Sequence, residues 1–485
     1  MKLALAALCS LALAASAQPI FPAPAEEDAA HHTHEPQLFV ESTAAGGPEQ
    51  LWVALGRAPD RVAISWLTNA TGAQSLVRWG LASGALGKSV TGAAGKPFVC
   101  GAYTSGAVHT VNVSGLPLAT RIFYTVGDDA TGVSSERSFV TSPGAGASYP
   151  YTFGVVGDPG QTSNSNATFN HLAANPAISS VFITGDLSYA DGDMPRWDSW
   201  GRLIDPLAST VPTMVASGNH GEPPRRWGGP AIMLVARARS FSPGACPSRL
   251  SAPRLLTAAI AAAAAAAAAT PQRRTAATPP SPAELDGLCL YTAYSARYAS
   301  MPSTTPDGPL YYSYEVAGAH VIILASFFVY SEGSAQYEWL NADLKAVDRA
   351  RTPWLFVILH APWYTSNTVH PTDGQLMRST LEPVLHAAHV NAVFAGHVHA
   401  YERNLPVYDN KADPTGAVYI TIGDGGNREG LYNNWENPQP AYSAFREAFY
   451  GHGELTLVND THARFAWLRN DDGERVEADA AWITQ

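Results

Sequence analysis

The stretch Ile178-Ser179-Ser180-Val181-Phe182-Ile183-Thr184-Gly185-Asp186-Leu187-Ser188-Tyr189-Ala190-Asp191 sets the reading of this 485-residue chain. Ile178 to Thr184 is a short apolar run of the kind that forms a strand buried on both faces. It stops at a glycine, and Asp186 and Tyr189 follow at once. The same order recurs along the chain. Thr152–Val156 runs into Gly157-Asp158-Pro159-Gly160. Pro212–Ser217 runs into Gly218-Asn219-His220. Trp354–Leu359 ends at His360, and Asn391–Ala395 ends at Gly396-His397-Val398-His399. Between these strands, Asn164–Ala174, Trp197–Leu207, the face Tyr337, Leu340, Leu344 and Val347, and Leu376–Ala388 read as helices. Alternating strand and helix predicts an α/β domain, with ligands at the carboxyl ends of its strands.

The residues at those ends share a chemistry. Asp, Asn, Tyr and neutral His offer oxygen and nitrogen donors to hard or borderline metal ions. A carboxylate can bridge two ions, and two ions about 3.5–4 Å apart can clamp an in-line phosphoryl displacement. The glycines beside the ligands are expected to let the backbone turn off each strand. One such motif alone is an ordinary turn. Five in order, each after an apolar strand, point to a metal site.

Outward from this domain the character changes. From about 46 to 145, short strands alternate with Gly, Asp and Ser turns and no helical period intervenes, which predicts a β-sandwich. Gly144–Pro150 reads as a linker to a catalytic domain over 150–485. Lys2, the apolar run Leu3–Leu13 and Ala15-Ser16-Ala17 read as a secretory leader over 1–17, too short to span a bilayer. Residues 18–45 read as a flexible tail, its His31, His32 and His34 included. Asn69, Asn112, Asn166 and Asn459 each open a glycosylation sequon. Without the leader, Cys100, Cys246 and Cys289 remain; one internal bridge can form among them, and its pairing stays open. The net charge of −11 makes nucleic acid an unexpected main partner. Residues 222–287 break the order with the alanine run 261–269 and a basic, Pro-rich composition. Such a segment cannot bury a core. It reads as a retained intron, ahead of a disordered insertion or an arginine-bearing lid.

GDPG (157–160), GDLSY (185–189), GNH (218–220), VILH (357–360) and GHVH (396–399) match the five blocks of metallophosphoesterases in order. The longer strings GDLSYAD (185–191) and GHVHAYER (396–403), with VYITIGDGGN (418–427) and YSAFRE (442–447), resemble the high-molecular-weight, plant-like purple acid phosphatases. The N-terminal sandwich is similar to their fibronectin-type domain. The resemblance implies an α/β catalytic domain of two sheets flanked by helices, and a dinuclear centre of Fe(III) with divalent Zn, Mn or Fe. It implies Asp158, Tyr189 and His399 on the ferric ion, Asn219, His360 and His397 on the divalent ion, and Asp186 bridging. His220 and His370 would face the substrate. The chain departs from the family at Gly221, where a glutamate is usual, and at Val369, where relatives often carry a second histidine beside the position of His370.

The expected function is therefore a secreted or vacuolar acid phosphatase acting on phosphate monoesters, by in-line attack of a metal-activated hydroxide. One alternative is a phosphodiesterase or nucleotide pyrophosphatase at the same site. Another is an inactive secreted metal-binding protein. No membrane partner is expected, and the oligomeric state is left open.

Overall fold

The computed structural model describes residues 35–43, 46–69, 72–220, 289, 291–471 and 473–485. The leader, most of the tail with its three histidines, and 222–287 lie outside the described residues.

The N-terminal sandwich packs two antiparallel sheets. One orders Glu49–Leu55, Val62–Thr68 and Ala107–Val113. The other orders Arg137–Val140, Arg121–Asp128, Leu76–Gly80 and Lys88–Thr91. The exposed strand Lys88–Thr91 escapes the sequence reading because it carries no apolar alternation. Leu51, Val53, Ile64, Trp66, Val77, Tyr124 and Phe139 fill the space between the sheets, as period-2 alternation requires.

The second part is built on two mixed sheets. The first orders Thr213–Val215, Ile178–Ile183, Tyr151–Val156, Gly451–Leu457, His462–Asp471 and Glu474–Thr484; its first three strands are parallel and the rest antiparallel. In the second, Ala319–Ile323, Trp354–Ile358, Ala392–Ala395 and Ala417–Ile422 run parallel, with antiparallel Tyr312–Val316 at one side and Tyr401–Tyr408 at the other. The sheets face one another. Phe153 meets Phe356 and Phe182 meets Phe394 edge-on, with ring centroids 6.5 and 5.2 Å apart. The helices expected from periodicity form as Ser163–Ala174, Pro195–Ala208, Ala335–Ala346 and Gln375–Ala387. Thr162 caps the first of these, accepting from the backbone N–H of Asn164 and Ser165.

The sandwich is fastened to the catalytic part. Trp52 Nε1 donates to Thr213 O at 2.9 Å, the Leu51 N–H to Asp205 Oδ2 at 2.9 Å and Tyr124 Oη to Ser209 O at 2.8 Å. A disulfide joins Cys100 in the sandwich to Cys289, which settles the pairing left open by the sequence. The linker is pinned too: the N–H groups of Ala317 and Gly318 donate to Gly144 O and Ala145 O.

The expectation of a flexible tail to residue 45 does not hold for 35–43. The Glu35 N–H donates to Arg428 O, the Leu38 N–H to Gln161 O and the Val40 N–H to Ser199 Oγ. Apolar periodicity cannot register a segment tied down through its backbone. No helix among the described residues is long and apolar enough to cross a membrane.

Candidate metal centre

Five loops reach one rim. Those carrying Asp158, Asp186 and Asn219 leave the parallel strands of the first sheet, and those carrying His360 and His397/His399 leave the second. Asp158, Asp186, Tyr189, His360, His397 and His399 are buried, while Asn219, His220 and His370 are half-buried.

The seven expected ligands fall into two linked groups. Tyr189 Oη lies 3.2 Å from Asp158 Oδ1 and 3.1 Å from His399 Nε2, and His399 Nε2 is 3.6 Å from Asp158 Oδ1. In the second group, His360 Nε2 is 2.9 Å from Asp186 Oδ2 and 3.1 Å from Asn219 Oδ1. Ligand atoms of Asp186, His360 and His397 lie within 4.8 Å of one another. His360 Nε2 also stands 3.8 Å from Asp158 Oδ1, joining the two groups. His360 Nδ1 is 2.9 Å from Thr184 O, which directs Nε2 at the other donors.

The glycines work differently from the expectation. Asp158, Asp186 and His397 take the left-handed turns themselves, at φ 51°, 47° and 68°. Of the glycines preceding ligands, Gly157, Gly218 and Gly396 keep ordinary backbone and only Gly185 has a positive φ. What glycine supplies is room. A Cβ on Gly218 would fall 2.0 Å from Asp186 Oδ1, and one on Gly396 would fall 2.1 Å from Asp158 Oδ2. His397 and His399 diverge because consecutive tight turns separate them: the Val398 N–H donates to Gly396 O and the Ala400 N–H to Val398 O.

Burial and neighbouring charges compete across the site. It pushes the Asp158 carboxyl up to about 7, with the charge of Asp186 adding and that of His360 opposing. Burial also works against the Asp186 carboxylate, but His360 and His220 outweigh it and hold the group below the usual range. Burial and the charge of His370 push His397 down to about 3; burial pushes His399 down to about 3. Burial pulls His220 down as well, yet Asp186, Glu429 and Asp191 raise it to about 10. Burial pulls His360 down too, yet Asp186 and Asp158 raise it to about 9. A buried set of carboxylates, a phenol and imidazoles supplies the oxygen and nitrogen donors that hard or borderline cations take, and a cation bound there would replace the proton at His360.

His220 lies beside these groups. Its backbone N–H donates to Asp186 Oδ1 at 2.7 Å, its ring stacks on Tyr189 at 4.3 Å, and Nε2 faces Glu429 Oε1 at 3.4 Å. His370 packs 4.3 Å from His397, ring centroid to centroid, and its Nδ1 is 3.3 Å from Asp373 Oδ2. Four residues at the rim had no role in the sequence reading: Asp191, Asp373, Arg428 and Glu429. Asp191 Oδ1 is 2.7 Å from His220 Nδ1, and Asp373 Oδ2 is 2.9 Å from His397 Nε2. Faint signals were present for three of them. Asp191 closes GDLSYAD, and Arg428 and Glu429 follow GDGGN directly.

The chain is similar to known proteins. Residues 151–401 match the calcineurin-like phosphoesterase family, so the two sheets and the rim define a metallophosphoesterase. Residues 48–141 match the purple acid phosphatase N-terminal domain, and 416–477 the iron/zinc purple acid phosphatase-like protein C. Purple acid phosphatase 18 of Arabidopsis thaliana is 36% identical over 90% of this chain and 84% of its own. Purple acid phosphatase of Glycine max is 34% identical over 92% and 87%. Fe(3+)-Zn(2+) purple acid phosphatase 12 of Arabidopsis thaliana is 34% identical over 79% and 72%. The chain belongs to the purple acid phosphatase family and is an acid phosphatase. In fold it is similar to purple acid phosphatase PPD1 from yellow lupin seeds, with a TM-score of 0.68 at 21% identity over 92% of this chain and 76% of that one.

Proposed function

We propose that this chain hydrolyses phosphate monoesters at a centre of Fe(III) with one divalent ion, Zn, Mn or Fe. Asp158, Tyr189 and His399 would hold the ferric ion, Asn219, His360 and His397 the divalent ion, and Asp186 would bridge. The observation that carries this is the meeting of these seven donors, from loops of two sheets, in two groups joined where His360 Nε2 approaches Asp158 Oδ1. Phenolate and carboxylate are hard donors suited to Fe(III). The chemistry such a pair supplies when bound is water activation and neutralisation of phosphoryl charge.

The chain's own groups do the rest. His220 points Nε2 into the rim and would donate to a phosphoryl or leaving-group oxygen. His370 would bind the substrate from the opposite side. Phe327 lies edge-on to His360 and His397, at 6.0 and 5.4 Å, and would limit water there. The leader-like start and the sequons support secretory routing, extracellular or vacuolar. Residues 222–287 are proposed to be dispensable on composition alone.

Metal content, visible spectrum and turnover on one purified sample test this reading. Expected are iron with a divalent metal, a purple or pink colour lost in Tyr189→Phe, and faster turnover of nitrophenyl phosphate than of bis(nitrophenyl) phosphate. Faster diester turnover would favour the phosphodiesterase. A metal-loaded protein inert to both would favour a binding role.

A further inference from the structure

Asp191 uses both carboxylate oxygens. Oδ1 is 2.7 Å from His220 Nδ1, and Oδ2 forms a close ion pair with Arg428. Asp191 itself sits at φ 46°, a backbone state that a non-glycine residue holds only when its surroundings fix it. Arg428 is anchored in turn. Its carbonyl accepts from the Glu35 N–H at 2.7 Å, and the preceding Asn427 N–H donates to Asp158 O at 3.1 Å. A continuous path therefore runs from residue 35 through Arg428 and Asp191 to the imidazole of His220. Tyr189 stacks on that ring and leaves its in-plane rotation to be set by the bond at Nδ1.

We propose that Arg428 is a positioning residue: through Asp191 it aims His220 Nε2 at the oxygen that leaves the phosphoryl group. The inference rests on the substrate-facing role given to His220 above. A guanidinium fixes a carboxylate plane through directed N–H donors. With that plane fixed, Asp191 can accept from His220 Nδ1 in one ring orientation, and Nε2 then faces the rim beside Glu429. Without Arg428, the Asp191 carboxylate loses the constraint on its plane, and the ring can swing. Small misplacements of a proton donor are costly, up to about 100-fold for 1 Å. The loss should grow with the basicity of the leaving group, because a nitrophenolate departs with little protonation and an alkoxide does not.

A double-mutant cycle on the metal-loaded protein tests this, using Arg428→Met, His220→Ala and the pair, with phenyl-type and alkyl phosphates. Arg428→Met is expected to lower kcat about 10-fold on an alkyl phosphate, less on nitrophenyl phosphate, with metal content and visible spectrum kept. In the His220→Ala background it should have almost no further effect, because the residue it aims is gone. Equal losses in both backgrounds, or no loss in either, would overturn the proposal. If Arg428→Met fails to fold, Arg428→Lys carries the cycle. It keeps the charge without the planar fork, so it is expected to fall between wild type and Met, and wild-type kcat on the alkyl phosphate would overturn the proposal. A wild-type protein with no phosphatase activity would refute the reading of function instead.

Discussion

Two buried histidines, His109 in the sandwich and His399 at the rim, separate structural polarity from functional polarity. His109 is satisfied on both sides, with Nε2 2.9 Å from Thr68 Oγ1 and Nδ1 2.8 Å from Ser75 Oγ, and its ring stacks on Trp66. His399 has its Nε2 among Asp158 Oδ1 and Tyr189 Oη, while its buried Nδ1 finds no hydrogen-bond partner among the described residues. The backbone divides the same way. Asp158, Asp186, Tyr189, Asp191, His370 and His397 all hold positive φ at the rim, whereas sandwich strands Val62–Thr68 and Leu76–Gly80 pair in regular ladders with Ala107–Val113 and Arg121–Asp128. At His109 the sandwich shows a polar ring paired on both sides because it is buried. The rim shows donors crowded together at some cost in strain, the signature of a place built for something else to bind.

The sharpest way to break that contrast is at the carboxylate proposed to bridge the two ions. Asp186→Asn removes the bridging charge, and kcat/KM is expected to fall about 1,000-fold or more, with both metals depleted. Asn219→Asp keeps an oxygen donor and should cost clearly less. Equal, mild losses in activity and metal content would count against a dinuclear centre.

Away from the rim the expected effect is on stability. The Cys100–Cys289 bridge closes a loop of sequence separation 189 that holds the first three ligand loops. Losing such a bridge costs about 2–5 kcal/mol. Cys289→Ser should therefore lower the denaturation midpoint while the metal-loaded folded protein keeps its kcat. A fall in kcat at unchanged stability would show that the tether shapes the site itself.

His220 and His397 divide ligation from proton donation within the rim. His220→Ala should cut turnover about 100-fold and leave metal content near normal. His397→Ala should lose metal. Equal metal loss in the two variants would show that the two roles are assigned wrongly.

Legibility followed the physics of each element. The parallel strands were readable because burial on both faces leaves continuous apolar runs, as in Val181–Ile183 and Trp354–Ile358. The strand ends were readable because donor residue types follow those runs directly. Lys88–Thr91 was not, since an exposed strand is specified by its partner Leu76–Gly80 and not by its own side chains. Asp373 and Glu429 were not, because their meaning lies in contacts across loops. Asp373 meets a histidine 24 residues away, and Glu429 faces His220 from the far side of the catalytic chain. The glycine roles were misread for a related reason: sequence shows that a side chain is missing, but only the neighbouring loop shows that the space is used.

The smallest expected effect concerns a buried histidine outside the rim whose two ring nitrogens each face a carboxylate. His320 Nε2 is 2.8 Å from Asp343 Oδ2, on helix Ala335–Ala346, and Nδ1 is 3.5 Å from Glu315 Oε1, on the neighbouring strand; Glu315 also pairs with Arg351. Burial disfavours the imidazolium, but the two carboxylates outweigh it and raise its pKa above the ordinary value. The Glu315 carboxyl is correspondingly lowered, chiefly by the facing His320 imidazole. A raised histidine stabilises the fold fully at pH below its unfolded value, about 6.5, and the contribution fades as pH rises through the folded value. The lowered glutamate sets the other limit, since its contribution fades only when pH falls through its own depressed range. Mild acid lies inside this window. The melting temperature of His320→Gln should therefore lie below that of wild type by most near pH 5, and the gap should narrow steadily above neutrality. A gap that stayed constant, or widened with pH, would mean that His320 acts here by packing alone, as a neutral ring would.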